Sequence, residues 1–165
     1  MKNKKADKYL KCLAEMKDED RYLFRSEIGR PMMPGTRPWI SYLRYAPKKL
    51  SLIEDQLYYF VACVKSVNKD GNVPVREAIR KAVGRGKMLR EQFLRLTTSV
   101  EDGTGYFYQA VENFFGLDIL KEIDAEELFE DLLQWNHPAC YIQKKWVGYY
   151  YDCIDTNKEE GEAEE

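Results

Sequence analysis

Histidine is nearly missing from this chain of 165 residues: His137 is the only one. A lone imidazole ahead of a proline has no orienting partner for acid–base work, so it reads as a cap or loop residue. Cysteine is sparse and scattered. Cys12, Cys63, Cys140 and Cys153 form no C-x-x-C pair and have no histidine at ligand spacing, which argues against zinc, and no metal or cofactor is expected. Cys63 and Cys140 read as small apolar core filler, and unpaired thiols fit a reduced, cytoplasmic protein. Long apolar runs are missing too. The longest, 57–64 and 146–151, fall far short of a bilayer span, and the charged first residues carry no signal-peptide core, so no membrane is expected as a partner.

Catalytic signatures are equally absent. The chain has no G-x-S-x-G, no glycine-rich phosphate loop, no H-E-x-x-H, and no H-x-E with C-x-x-C; Gly84-x-Gly86 is too short to be a fingerprint. Glu126, Glu127, Glu130 and Asp131 are the only conceivable metal cluster, and with nothing converging on them they read as a solvated helix face. Catalytic residues and enzymatic activity are therefore not expected.

Strand alternation is missing as well, and what is there is helical periodicity. Tyr9, Leu10, Leu13 and Met16 form an i, i+1, i+4, i+7 stripe that predicts a helix over 4–17. A short helix over 21–28 is closed by Gly29. Three prolines and a glycine make 30–38 a loop. Residues 39–45 form a short helix ended by Pro47. Ser51 and Glu54 have capping-box spacing, opening a helix to about Val67. Pro74 suits the first turn of a helix to Val83. Helices follow over 87–99, 106–115 and 117–123. Asp124 caps the next, with Glu126 and Glu127 at its positive end, and a last helix restarts after Asn136-His-Pro138. The expected fold is an all-α bundle of about eight to nine helices, without internal repeats.

Charge is the informative excess. The formal net charge is −2, from 26 basic and 28 acidic residues. Residues 1–95 hold 22 of the basic and 11 of the acidic side chains, a balance of +11, and residues 96–165 hold 4 and 17, a balance of −13. Such asymmetry points to a polyanion-binding face beside an acidic end. From 76 to 95 the cations are Arg76, Arg80, Lys81, Arg85, Lys87, Arg90 and Arg95, against Glu77 and Glu91. Arg76 and Arg80 share a helix face, and Arg85 and Lys87 flank a glycine turn where backbone approaches phosphate closely. From 21 to 49 another seven cations, Lys48 and Lys49 among them, face Glu27 alone. Phosphates neutralised by such a surface release counterions, so binding would be strong at low salt. A merely solvated basic surface on a helical protein–protein adaptor is the alternative these residues leave open.

The order of motifs resembles a known family. Leu23-Phe-Arg25 precedes the Gly/Pro loop, the aromatic helix over 39–45 and Pro47. Then come the apolar helix ending Tyr58-Tyr-Phe-Val-Ala-Cys-Val64, Arg90-Glu-Gln-Phe93-Leu-Arg-Leu96, Leu128-Phe-Glu-Asp-Leu-Leu-Gln-Trp135, and Lys144-Lys-Trp146-Val-Gly-Tyr-Tyr150. The pattern over about 5–151 is similar to the CasB family, the small subunit of type I-E CRISPR Cascade surveillance complexes in antiviral defence. Its most specific element is the pair of tryptophans eleven apart, the second followed by paired aromatics.

The resemblance implies two packed helical subdomains, here 1–96 (basic) and 97–154, while composition alone makes 155–165 an acidic disordered tail. The resemblance also implies a non-catalytic DNA- and RNA-binding subunit that stabilises the R-loop, the displaced strand and the crRNA–target hybrid. Partners would be the backbone and large subunits with crRNA, and a second copy of itself. Carried over by position, Arg25, Arg90, Lys144 and Lys145 are the implied backbone contacts, with Arg25 and Arg90 alternatively internal ion-pair partners. Lys48, Lys49, Arg76, Arg80, Lys81, Arg85 and Lys87 join them on charge alone. Two features depart from the family: Ala110-Val-Glu-Asn-Phe-Phe115 where many members are basic, and the acidic tail. Trp135, Trp146, Tyr149 and Tyr150 are expected in the core or an interface.

Overall fold

The computed structural model describes residues 4–163, with side chains through 153. The described residues form nine helices and no sheet: α1 Lys4–Ala14, α2 Asp18–Arg25, α3 Arg37–Tyr45, α4 Leu52–Val67, α5 Val75–Val83, α6 Lys87–Thr97, α7 Tyr106–Glu122, α8 Ala125–Leu133 and α9 Tyr141–Ala163. The all-α expectation holds. No described helix is long and apolar enough to cross a membrane. Helix α9 carries on into the acidic segment expected as a tail over 155–165, and the side chains of that segment lie outside the described residues.

Helix α4 is the centre. Ser51 Oγ accepts from the Glu54 amide and Glu54 Oε1 from the Ser51 amide, each at 3.2 Å, closing the capping box. Every residue from Gln56 to Val64 is buried, so this helix has no solvent face over two turns. Helices α1, α2, α3, α7 and α8 all pack against it. Its end is tied by Asn68, whose Nδ2 donates to the Leu120 and Ile123 carbonyls at 2.8 Å each. There a single backbone bridge joins Val73 to Ile123.

The second group of helices hangs on α7. Its interior breaks at Gly116, with φ +78° and ψ 159°, which separates the two segments expected over 106–115 and 117–123. Only glycine takes this conformation without a Cβ penalty. Helices α5 and α6 pack on α7 and on each other, and α9 lies across both. Phe93 of α6 and Tyr150 of α9 stack at 4.8 Å.

Asp131 corrects one expectation. It is buried on α8 rather than part of a solvated acidic face, because the neighbouring α9 presents two donors that need an acceptor. Lys145 Nζ reaches Asp131 Oδ1 at 2.6 Å and the Trp146 indole N–H donates to Oδ2 at 2.8 Å. Trp146 in turn meets Trp135 edge to face at 5.1 Å, and both indoles and Tyr150 are buried. Cys140 also differs: it is exposed, in a left-handed turn at φ +54°, whereas Cys63 is fully buried. His137 sits in that turn, its Nδ1 accepting from the Ala139 amide at 3.0 Å.

The loop before α7 is a third packed element. Trp135 Nε1 donates to the Ser99 carbonyl, and Asn136 brackets Glu101 through both its amide and its carbonyl. Glu101 is buried, and burial raises its carboxyl to about pH 7, opposed by the Gly103 amide it accepts from and assisted by the nearby Asp102 charge.

Two stability measurements follow. Asp131 is buried while Lys145 is partly exposed, and without the lysine the carboxylate keeps only the Trp146 donor, so Lys145→Ala is expected to cost about 1–2 kcal/mol in denaturant unfolding. Lys144→Ala, one residue away and exposed, should stay within about 0.5 kcal/mol; equal losses at both would contradict the assignment. Glu101 holds a proton more tightly folded than unfolded. Its contribution is full below about pH 4.5 and lost as pH rises through about 7. Glu101→Gln should therefore match the parent near pH 4.5 and exceed it at pH 8 by on the order of 2–3 kcal/mol. Unfolding midpoints at the two pH values check this, and a pH-independent difference would refute it.

Candidate nucleic-acid interface

The cations fall into two groups by the helices that carry them. Arg76 and Arg80 on α5, Lys87 and Arg90 on α6, and Lys144 on α9 stand on three helices packed against one another. All five are exposed or half-buried at the surface, and among the described residues none forms an ion pair. Arg25 ends α2, and Lys48 and Lys49 follow α3; these three lie on the other group of helices, exposed and likewise without ion pairs among the described residues. The alternative in which Arg25 and Arg90 are internal ion-pair partners therefore finds no carboxylate to support it.

Local structure sets the presentation. Arg76 and Arg80 are one turn apart, on the rim of an open cleft of about 270 Å³ that Glu77, Asp152 and Cys153 also line. Lys144 lies two turns before Asp152 on the same helix, roughly 12 Å at 1.5 Å per residue. The first turn of α6 holds Lys87 and Arg90, no acidic residue, and no side-chain cap on Gly86. Cations there oppose the helix dipole, and an anion reaching the free amides would relieve both costs. The first turn of α9, with Lys144, likewise lacks an acid. Arg25 is the reverse case, a cation in a last turn, where the dipole favours it.

Three of the candidate cations have partners within the chain. Arg85 Nη2 donates to the Phe114 and Phe115 carbonyls at 2.8 and 2.6 Å, satisfying the helix end left open by the break at Gly116. A Cβ at Gly116 would lie 2.9 Å from Arg85 Nη1, so glycine there serves the turn and the close approach together. Lys145 holds Asp131, as above. Lys81 meets Glu122 at 3.5 Å with both side chains largely exposed, a pair of little energetic weight. Elsewhere Arg44 pairs with the buried Asp20 at 3.1 Å, and Tyr45 also donates to that carboxylate. Arg95 is exposed in the last turn of α6.

Sequence reading passed over Lys5 and Lys8. They line an open cleft with Lys48, and the only local hint is their i, i+3 spacing on α1. No group of three or more metal-ligating side chains occurs among the described residues.

No protein-family model matches the chain, and no curated protein does. Solved structures do match. A CRISPR-associated protein of the Cse2 family from Thermus thermophilus superposes with a TM-score of 0.69 at 22% identity, covering 89% of this chain and 97% of that one. CasB from M. ruber gives 0.64 at 16% identity, covering 94% and 97%. A chain of a CRISPR RNA-guided surveillance complex gives 0.68 at 15%, covering 94% and 96%. The likeness at these identities is one of architecture, and along nearly its whole length this chain has the all-α fold of the Cse2 and CasB structures.

Proposed function

We propose that this chain is a Cse2/CasB small subunit of a type I-E CRISPR Cascade complex, acting without catalysis by holding nucleic-acid backbone. The observation that carries the reading is the fold shared with the Cse2-family protein and CasB over nine-tenths of the chain. The motif order of the sequence, from Leu23-Phe-Arg25 to the Trp135 and Trp146 pair, supports it independently.

In this reading the exposed cations divide the work. Arg76, Arg80, Lys87, Arg90 and Lys144 contact phosphates along one set of helices, and Arg25, Lys48 and Lys49 along the other. Arg85 and Lys145 act on the protein itself, shaping the surface that their neighbours present. An R-loop is a nearly balanced exchange of one duplex for another, so a few backbone contacts to the displaced strand or to the crRNA–target hybrid shift it measurably. Contacts of this kind position a strand without reading its sequence, which matches a surface of separate cations with no groove-reading helix module. Exposed apolar side chains beside α2 and α3, Tyr22, Ile40 and Leu43, suit contacts to the backbone and large subunits or to a second copy of this chain. The cell compartment would be the cytoplasm.

Reconstitution checks the proposal. The chain is combined with crRNA and the other subunits of the type I-E system of its own genome, and the lifetime of the displaced strand is followed by permanganate reactivity. Incorporation of the chain should prolong the open state several-fold. A variant reversing Arg25, Arg90 and Lys144 to Glu should still assemble and lose most of that gain. Failure of the parent chain to enter the complex, or an open state equally long without it, overturns the reading.

A further inference from the structure

We infer that the exposed face of α9 is a base-stacking platform, on which unstacked bases of a single nucleic-acid strand lie against Tyr141 and Tyr151. The inference rests on the reading that the chain holds nucleic-acid backbone, and it adds a contact to bases through side chains which that reading leaves unused. Four tyrosines are exposed among the described residues, Tyr22, Tyr106, Tyr141 and Tyr151, and the last two stand on α9, 58% and 55% exposed. Tyr141, Lys144, Gly148 and Tyr151 follow one another at intervals of three, four and three residues, which puts them on one face of the helix. All four are exposed, while Ile142, Trp146, Tyr150 and Cys153 bury the opposite face. At 1.5 Å per residue the two tyrosines stand about 15 Å apart along the axis, so each can take a base of its own.

Each ring is braced by a second ring. The His137 imidazole lies 4.8 Å from Tyr141 at an interplanar angle of 34°, and its Nδ1 accepts from the Ala139 amide. Tyr150, itself stacked on Phe93, meets Tyr151 at 5.5 Å and 75°. A ring already seated loses little freedom on binding, so more of the stacking energy appears as affinity. Between the two tyrosines Gly148 leaves the helix bare. A Cβ there would meet nothing within 4 Å, so packing does not ask for glycine, and glycine weakens a helix interior relative to alanine. The missing side chain lets a sugar or a base edge approach the backbone. Charge favours the same occupant: residues 141–151 hold two lysines and no acid, and α9 packs against α5 and α6, which carry Arg76, Arg80, Lys87 and Arg90. Asp152 follows at once, in the cleft lined by Arg76 and Arg80. Aromatic faces set among cations bind single strands without choosing a sequence, since every base has a π-face.

Strands with and without bases test the platform. Fluorescence anisotropy at low salt measures the affinity of the full chain for single-stranded DNA, single-stranded RNA and an abasic phosphodiester strand of the same length. The parent chain should bind at least one base-bearing strand about fivefold or more tighter than the abasic strand, and the tighter of DNA and RNA names the occupant. Tyr141→Ala/Tyr151→Ala should abolish that preference and bind the abasic strand as the parent does, which also shows the fold intact. Tyr141→Phe/Tyr151→Phe should keep the preference, because stacking needs the ring and not the hydroxyl. Equal affinity of the parent for base-bearing and abasic strands, or a preference that survives the alanine variant, overturns the platform and leaves the backbone reading standing. An alanine variant that binds every strand like the parent but no longer enters the reconstituted complex makes this face a subunit interface, and overturns the platform as well. No binding of any strand at any salt overturns both readings.

Discussion

A carboxylate placed in an apolar interior must find donors, and Asp131 finds two of them on α9. That requirement fixes how the last helix lies on the bundle. Lys145 and Trp146 are adjacent in sequence, and both reach the two oxygens of one side chain, so the helix has a single rotation that satisfies them. With that rotation Trp146 packs against Trp135 and Phe115, Tyr150 stacks on Phe93, and α9 crosses α5 and α6. Lys144, next to the buried pair, is thereby turned to solvent. The exposed cations of three helices gather on one packed unit because a buried anion orients the third.

The same logic separates two kinds of basic residue that composition alone treats as one. Arg85, Lys145 and Arg44 each satisfy buried or half-buried acceptors: two carbonyls at a helix break, Asp131, and Asp20. Their charges stabilise the fold. Arg76, Arg80, Lys87, Arg90 and Lys144 have no such acceptor among the described residues, and the first turns of α6 and α9 even place cations where the helix dipole disfavours them. Those exposed cations are the ones the proposed function gives to phosphate. Near-neutral net charge is then the sum of two regions and carries no weight against a polyanion partner.

What the sequence disclosed was local. The Ser51–Glu54 box, the Asp124 cap and the break at Gly116 depend on residues within a few positions of each other, and all stand where the pattern put them, whereas the proline loop ends at Thr36 and α3 takes Arg37 and Pro38 into its first turn. Some boundaries moved: α1 ends at Ala14 rather than at 17, since Lys17 in extended conformation starts α2 instead. Three features were illegible for a different reason. Asp131 looked like one of four exposed acids until α9 was laid against it. Arg85 looked like a free cation in a glycine turn, because its carbonyl partners lie about thirty residues on. Cys140 looked apolar by type, although a left-handed turn faces it outward. Chain periodicity reports faces, and it is silent on which face meets which.

The proposed division between fold-forming cations and cations that bind a strand is tested most directly by the salt dependence of single-stranded DNA affinity. The slope of log affinity against log salt counts the phosphates neutralised, at about 0.7 per contact for a single strand. Neutralising Arg76, Arg80 and Arg90 together to Gln should lower that slope by about 2 while leaving the unfolding midpoint within experimental scatter. Neutralising Lys145 should do the opposite, shifting the midpoint and sparing the slope. An unchanged slope in the triple variant, with the fold intact, would contradict the account.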